Sequence, residues 1–250
     1  MNVVDLARFS RAIYESEESF HWQCSQWGFD EVRWIERRGT QAAVIHRPGA
    51  PFDLYAVVFR GTQPDELQDW LADLRVKKAC VPFGRVHRGF LWALLAAWPE
   101  IESAIPVTAD TRIHFTGHSL GGALATLAAA LFVHEYDQIL VASLTTFGCP
   151  RVGNGTFARW LGRLIGDWTA RYVHCADLVP RVPRIGYRHV GRCFYFDRHG
   201  NLYRRPGWLY RFCDRVLRHA QHVGRLGTPA IADHSMDRYL DLIESHYREA

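Results

Sequence analysis

The sequence predicts an α/β protein with a mostly parallel central sheet and helices on both faces. Three observations carry that expectation. Short β-rich runs alternate with helical stretches along the whole chain. One apolar strand runs straight through a Gly-x-Ser-x-Gly turn into a helix, from Ile113 to Phe132. The run Ile139 to Phe147 is mostly apolar, as suits a strand buried on both faces of a parallel sheet. At 250 residues, 48% apolar and 22% charged, the chain is expected to form one domain over residues 1–250 with a full core.

Taken in order, Val3 to Ser16 places Val3, Val4, Leu6, Ala7, Ala12 and Ile13 at helical spacing. Gln41 to His46 and Leu54 to Phe59 are β-rich, parted by the turn signal Arg47-Pro48-Gly49-Ala50-Pro51. Phe59-Arg60-Gly61-Thr62 leads into the polar segment Gln63 to Asp69, then Trp70 to Leu74. Val86 to Phe90 opens a helix in which Phe90, Leu91, Leu94, Leu95 and Trp98 fit a 3.6 period. Arg171 to Cys175 reads as a strand closed by the Pro-rich loop Ala176 to Pro183, and Cys193 to Phe196 as the last strand. Met236 to Ile243 is helical.

Composition excludes several classes of function. The net charge of +4 is mild and comes with no basic run or RNA-binding motif, so nucleic acid is not expected as a partner. No apolar run reaches membrane-spanning length, so no transmembrane segment is expected. The start MNVVDLARFS lacks the pattern of a secretory signal, and six scattered cysteines form no C-x-x-C pair. Free thiols and a cytoplasmic location are therefore expected, although a non-standard export route would leave the same sequence. Asp233, His234 and Asp237 lack H-E-x-x-H spacing, and no phosphate loop or dinucleotide fingerprint occurs. No metal and no cofactor is expected.

Gly117-His118-Ser119-Leu120-Gly121 has the form and flanks of a nucleophile elbow. Such a turn exposes a serine hydroxyl at a helix N-terminus, where free N–H groups and the helix dipole favour a developing oxyanion. The hydroxyl needs a base, and the base needs an acid to fix its tautomer. Asp177 sits just past the end of the Arg171 to Cys175 strand, where an acid should be. With the order serine, acid, histidine, six of the 13 histidines remain: His189, His199, His219, His222, His234 and His246. His219 and His222 fall in an Arg-rich helical stretch, and His246 near the chain end. His234 stands at a loop-to-helix junction, which favours it without excluding the rest.

Several segments together are specific. Phe59-Arg60-Gly61-Thr62 with Asp69-Trp70-x-x-Asp73-Leu74, Val86-His87-x-Gly89-Phe90 and Thr116-Gly117-His118-Ser119-Leu120-Gly121-Gly122-Ala123-Leu124-Ala125 occur in order. Phe147-Gly148-x-Pro150-Arg151-Val152-Gly153-Asn154, Asp177-x-Val179-Pro180-x-x-Pro183 and Asp233-His234-Ser235-Met236-x-x-Tyr239 follow. With them the chain resembles the class 3, fungal-type lipases of the α/β-hydrolases from about residue 40 to 240. The resemblance implies an α/β-hydrolase fold, Ser119 as nucleophile, Asp177 as acid and His234 as base. It implies an oxyanion hole from Thr62 and the backbone N–H of Leu120, and a short lid at Gln63 to Leu71. That segment is unusually polar, so only weak activation at a lipid–water interface is expected.

The expected activity is hydrolysis of carboxylic esters of acyl lipids through an acyl-enzyme. A phospholipase A1, a galactolipase, a small-ester esterase or a catalytically silent hydrolase fold are its rivals. Trp70, Leu71, Val179, Val182, Ile185 and Tyr187 follow catalytic segments closely and are expected to line an acyl groove. Asn201 to Leu226 carries no motif of the family. Trp208, Leu209, Phe212, Val216 and Leu217 share one helical face there, with Arg211, Arg215 and Arg218 among the rest. The first expectation is a cap helix packing its apolar stripe on the core. The second is a basic amphipathic helix making peripheral contact with a lipid surface.

Overall fold

The computed structural model describes residues 1–49, 51–63, 66, 77–136, 140–221 and 229–248. Strands β1 (Glu31–Arg37), β2 (Thr40–Arg47) and β3 (Asp53–Phe59) form an antiparallel meander. From β3 the sheet continues in parallel through β6 (Thr111–His118), β7 (Val141–Phe147), β8 (Thr169–His174) and β9 (Arg192–Phe196). β10 (Leu202–Arg204) closes the far edge antiparallel to β9, giving the order β1-β2-β3-β6-β7-β8-β9-β10. β4 (Lys78–Val81) and β5 (Gly84–His87) make a separate hairpin. The expected mostly parallel sheet is therefore present, with antiparallel strands at both edges.

Period-two alternation sends neighbouring residues of each strand to opposite faces. On β2 and β3, Val44, Val57 and Phe59 join one apolar cluster, while Ala43, Ile45, Ala56 and Val58 join another. The first is covered by α3 (Arg88–Ser103), α4 (Leu120–Glu135) and α5 (Gly155–Ile165). The second is covered by α1 (Val3–Ala12) and α2 (Glu17–Gln26). Helices thus cover both faces. A core truncation such as Leu94→Ala, a fully buried site, should cost about 2–5 kcal/mol. The face of α3 differs slightly from expectation: Ala97 and Ile101 turn inward, whereas Leu95 is exposed.

Helix α4 is apolar all round because it is buried all round, with every residue from Gly121 to Ala130 enclosed. It lies so close to the sheet that a Cβ on Gly121 would fall 2.1 Å from the carbonyl oxygen of Phe59. Only glycine fits there, and the close approach fixes where the preceding Ser119 stands.

Helix α6 (Trp208–Ala220) corrects the first expectation for its segment. Asp214 is buried and Arg211, Arg215 and Arg218 are half-buried, while Trp208, Leu209, Phe212, Val216 and Leu217 face solvent. The helix packs on the protein through its charged face. Ion pairs beneath the helix explain this: its own Asp214 meets Arg198 at 2.8 Å, and its Arg218 meets Asp233 at 2.6 Å. The chain finishes with α7 (Pro229–Ala232) and α8 (Met236–Arg248), the latter packed on α1.

All six cysteines are free. Burial pushes the thiols of Cys24, Cys149 and Cys175 up to about 12, which keeps them protonated and unreactive. Among the described residues no helix is long and apolar enough to cross a membrane. Most of the expected lid, including Asp69, Trp70 and Leu71, lies outside the described residues, as do Asp73 and Leu74 of the matched segment.

Candidate active site

Ser119, Thr62 and Asp177 all lie just beyond the carboxyl ends of parallel strands, β6, β3 and β8 in turn, where open α/β sheets place their sites. Ser119 takes φ +55° and ψ −126°, a conformation costing a non-glycine residue about 1–3 kcal/mol. The surrounding ladder holds it there. Its N–H donates to the carbonyl of Phe147 at 2.9 Å, and its own carbonyl accepts from Gly122 at 3.0 Å.

The strained turn carries the Ser119 Oγ to 2.8 Å from Nε2 of His234. Nδ1 of the same ring lies 3.0 Å from both oxygens of Asp177. All three side chains are buried. Asp177 is itself held by two further donors, the Tyr239 hydroxyl at 2.7 Å and the Val179 N–H at 2.9 Å. Burial and the adjacent Asp177 charge hold Tyr239 well above the ordinary tyrosine range, so it remains a donor. His234 stands on the turn between α7 and α8, the loop-to-helix junction seen in the sequence.

Gly148, at the end of β7, stands against this trio with φ +57°. A Cβ there would lie 2.9 Å from Asp177 Oδ2 and 3.0 Å from the His234 ring. Tyr14 and His118 support the same ring from the other side. The Tyr14 hydroxyl is 2.8 Å from His118 Nδ1, and His118 Nε2 is 2.6 Å from the His234 carbonyl oxygen. No motif points to Tyr14; only its place near the end of the amphipathic stretch Val3 to Ser16 hints at it. Tyr239 was visible as the last residue of a matched segment, without a role.

Two cavities border this region. One of about 420 Å³ reaches His234 and His118, with Tyr14, Thr62, Ile231 and Met236 in its walls. The other, of about 690 Å³, is walled by Thr62 with Arg60, Gly61, Leu120 and Leu124. Thr62 borders both. Its hydroxyl oxygen is buried and has no partner among the described residues. The N–H of Leu120 opens α4, in the first turn, where no carbonyl of the helix can reach it. The site thus combines a hydroxyl and imidazole in contact with two unclaimed donors beside a cavity.

The expected acyl groove requires correction. Val179 and Tyr187 are buried, Val182 is half-buried, and Ile185 is 86% exposed; none of the four walls either cavity. The loop after Asp177 folds back on itself, with Val182 N–H donating to the Val179 carbonyl at 3.2 Å. It presents the Val179 backbone, not its side chain, to Asp177. Tyr187 turns into the space beside His87, beneath the ammonium of Lys78.

The family model for class 3 lipases matches residues 56–187, just over half of the chain. The chain belongs to the class 3 lipases. Among its relatives, triacylglycerol lipase OBL1 of Arabidopsis thaliana is 26% identical over 244 residues, covering 77% of this chain and 47% of that protein. A secreted mono- and diacylglycerol lipase of Fusarium solani is 37% identical over 140 residues, covering 52% and 41% respectively. This class 3 lipase therefore spans less than half the length of these two relatives. The solved triacylglyceride lipase of Rhizomucor miehei shares the α/β-hydrolase fold, with a TM-score of 0.62 at 24% identity over 80% of this chain and 82% of that one.

Proposed function

We propose that this class 3 lipase hydrolyses carboxylic ester bonds of acyl lipids through an acyl-enzyme on Ser119. The observation that carries the reading is the single line of contacts from Ser119 Oγ through the His234 ring to Asp177, at 2.8 and 3.0 Å. His234 Nε2 takes the serine proton as Oγ attacks the ester carbonyl carbon. Asp177 keeps the Nδ1 proton in place and stabilises the imidazolium. The oxyanion is received by the N–H of Leu120 and by Thr62, whose hydroxyl has no partner among the described residues and is ready to donate. His234 then returns its proton to the leaving alcohol. A water molecule repeats the attack on the acyl-enzyme and releases the fatty acid and free Ser119.

The activities named for the Arabidopsis and Fusarium relatives support acylglycerols as the substrate class. Binding energetics favour a long acyl chain over an acetyl group, since each buried methylene is worth about 0.8 kcal/mol. That remote contact helps orient the ester and raises kcat/KM. The test is labelling by a fluorophosphonate probe, with Ser119→Ala as control, followed by kcat/KM for esters from acetyl to decanoyl and for long-chain acylglycerols. Labelling should vanish in the variant and activity should rise with chain length. An unlabelled wild-type protein would overturn the serine mechanism, and a preference for acetyl esters would overturn the lipid substrate.

A further inference from the structure

Helix α6 has its polarity reversed relative to an ordinary surface helix. The inward residues are Arg211, Asp214, Arg215 and Arg218, and the outward stripe is Trp208, Leu209, Phe212, Val216 and Leu217. Trp208 is 73% exposed and Phe212 50%, whereas Asp214 is 2% exposed. Five large apolar side chains within three helical turns form a contiguous patch of the kind that marks a contact surface. Nothing among the described residues covers them.

The charge around the stripe indicates what does. From Asn201 to Gln221 the chain holds five arginines and one acid, a net +4 by sequence, of which Arg218 is neutralised by its ion pair with Asp233. The one acid, Asp214, is committed inward to Arg198, Tyr195 and Cys175. Two of the arginines, Arg204 and Arg205, are exposed beside the N-terminal end of the stripe. An apolar stripe flanked by cations and begun by a tryptophan fits a surface with anionic head groups over hydrocarbon.

The helix is also tied to the active site. Arg218 donates to Asp233, the residue before His234, at 2.6 Å, and Asp233 accepts from the N–H of Ala176, the residue before Asp177, at 3.0 Å. We propose that the outward face of α6 is the surface by which this protein docks on anionic lipid, with the Asp177–His234 side of the site directly behind the helix. The choice of lipid as occupant rests on the acyl-lipid reading of the active site.

The test measures binding apart from chemistry. Ser119→Ala protein is cosedimented with phosphatidylcholine vesicles, with and without phosphatidylserine. It should bind the phosphatidylserine vesicles more tightly, and less so at high salt. Adding Leu209→Gln, Phe212→Gln and Val216→Gln should weaken binding roughly ten-fold or more, at an unchanged melting temperature. Should that variant fold poorly, Trp208→Ser alone serves, because its side chain is the most exposed of the five. Arg204→Gln with Arg205→Asn should abolish the preference for phosphatidylserine while leaving residual binding. The proposal is overturned if Ser119→Ala binds neither vesicle, or if the glutamine variant binds undiminished. It is equally overturned if light scattering shows a dimer that the glutamine variant dissolves and neither form binds lipid, since a second copy then covers the stripe. Probe labelling of wild-type Ser119 without vesicle binding removes this proposal alone. Vesicle binding without labelling removes only the ester-hydrolysis reading.

Discussion

The Tyr14 hydroxyl donates to Nδ1 of His118 at 2.8 Å, fixing the ring beneath the proposed base. The other nitrogen faces a carbonyl, that of His234, so Nε2 carries the proton and Nδ1 accepts. Burial pushes the His118 imidazole well below its ordinary range, with the His234 charge adding to the effect, and it stays neutral. His118 thereby joins the loop after α1 to the backbone of His234. It is a positioning residue rather than a second base.

Tyr14→Phe keeps the ring and deletes the donor, leaving a buried nitrogen unpaired at a cost of about 1–3 kcal/mol. His118→Ala removes the whole link. We expect kcat to fall roughly ten-fold in Tyr14→Phe and further in His118→Ala, with KM little changed and probe labelling slowed in step. Loss of stability with full kcat in the folded fraction would show that the bridge serves only the fold.

Gly148 provides a sharper geometric test. Alanine there meets an unfavourable φ of +57° and puts a methyl 2.9 Å from Asp177 Oδ2 and 3.0 Å from His234. Either the backbone or the acid–base pair must move. A displacement near 1 Å costs about 10²-fold in rate, so Gly148→Ala should lose at least that much kcat while remaining folded. Near-normal turnover would show that the pair tolerates the shift.

Buried histidines make the protein sensitive to acid. His114 is lowered to about 4, chiefly by burial with a small contribution from the N-terminal charge. Burial likewise lowers His118, His174 and His189. Each takes up its proton in the unfolded chain near the ordinary pKa of about 6.5, before the folded protein does. The unfolded state then binds more protons, so stability is full above that pH and is lost as pH falls toward the folded values. The slope is up to about 1.4 kcal/mol per pH unit for each histidine. Denaturant unfolding between pH 7 and 4 should show this decline, and His114→Gln should flatten it. A flat profile would mean that these rings find protons without unfolding.

The sequence told which residues share a face better than it told where that face points. Ser119 and Asp177 were legible because each follows a recognisable strand, whereas the loop-to-helix junction left other histidines open and the family resemblance singled out His234. For α6 the periodicity grouped Trp208, Leu209, Phe212, Val216 and Leu217 correctly. The direction of the stripe depended on Asp233 and Arg198, whose places no local pattern reveals. Val179 and Tyr187 misled for a similar reason: nearness in sequence to Asp177 does not survive a loop that folds back. Helix α5 passed unread even though Asn154 caps it, accepting from Phe157 N–H at 3.0 Å, and Phe157, Leu161 and Ile165 recur every four residues. Strand β1 was missed as an edge strand with only Ile35 fully buried.

The oxyanion site yields the last prediction. Thr62 can offer its backbone N–H, its hydroxyl or both, and the buried hydroxyl oxygen, without a partner among the described residues, supports a direct part for the side chain. A buried polar atom without a partner is costly in the resting protein, and the cost is recovered when it donates to a developing negative charge. Thr62→Val keeps the branched shape and the N–H while deleting only the hydroxyl, which separates the two donors. We expect kcat to fall by about 10²-fold with KM nearly constant, because the hydrogen bond is made in the transition state and not to the bound ester. Thr62→Ser retains a hydroxyl and should recover most of the rate. If valine matches threonine in kcat, the N–H groups of Thr62 and Leu120 suffice, and the hydroxyl of Thr62 has no part in catalysis.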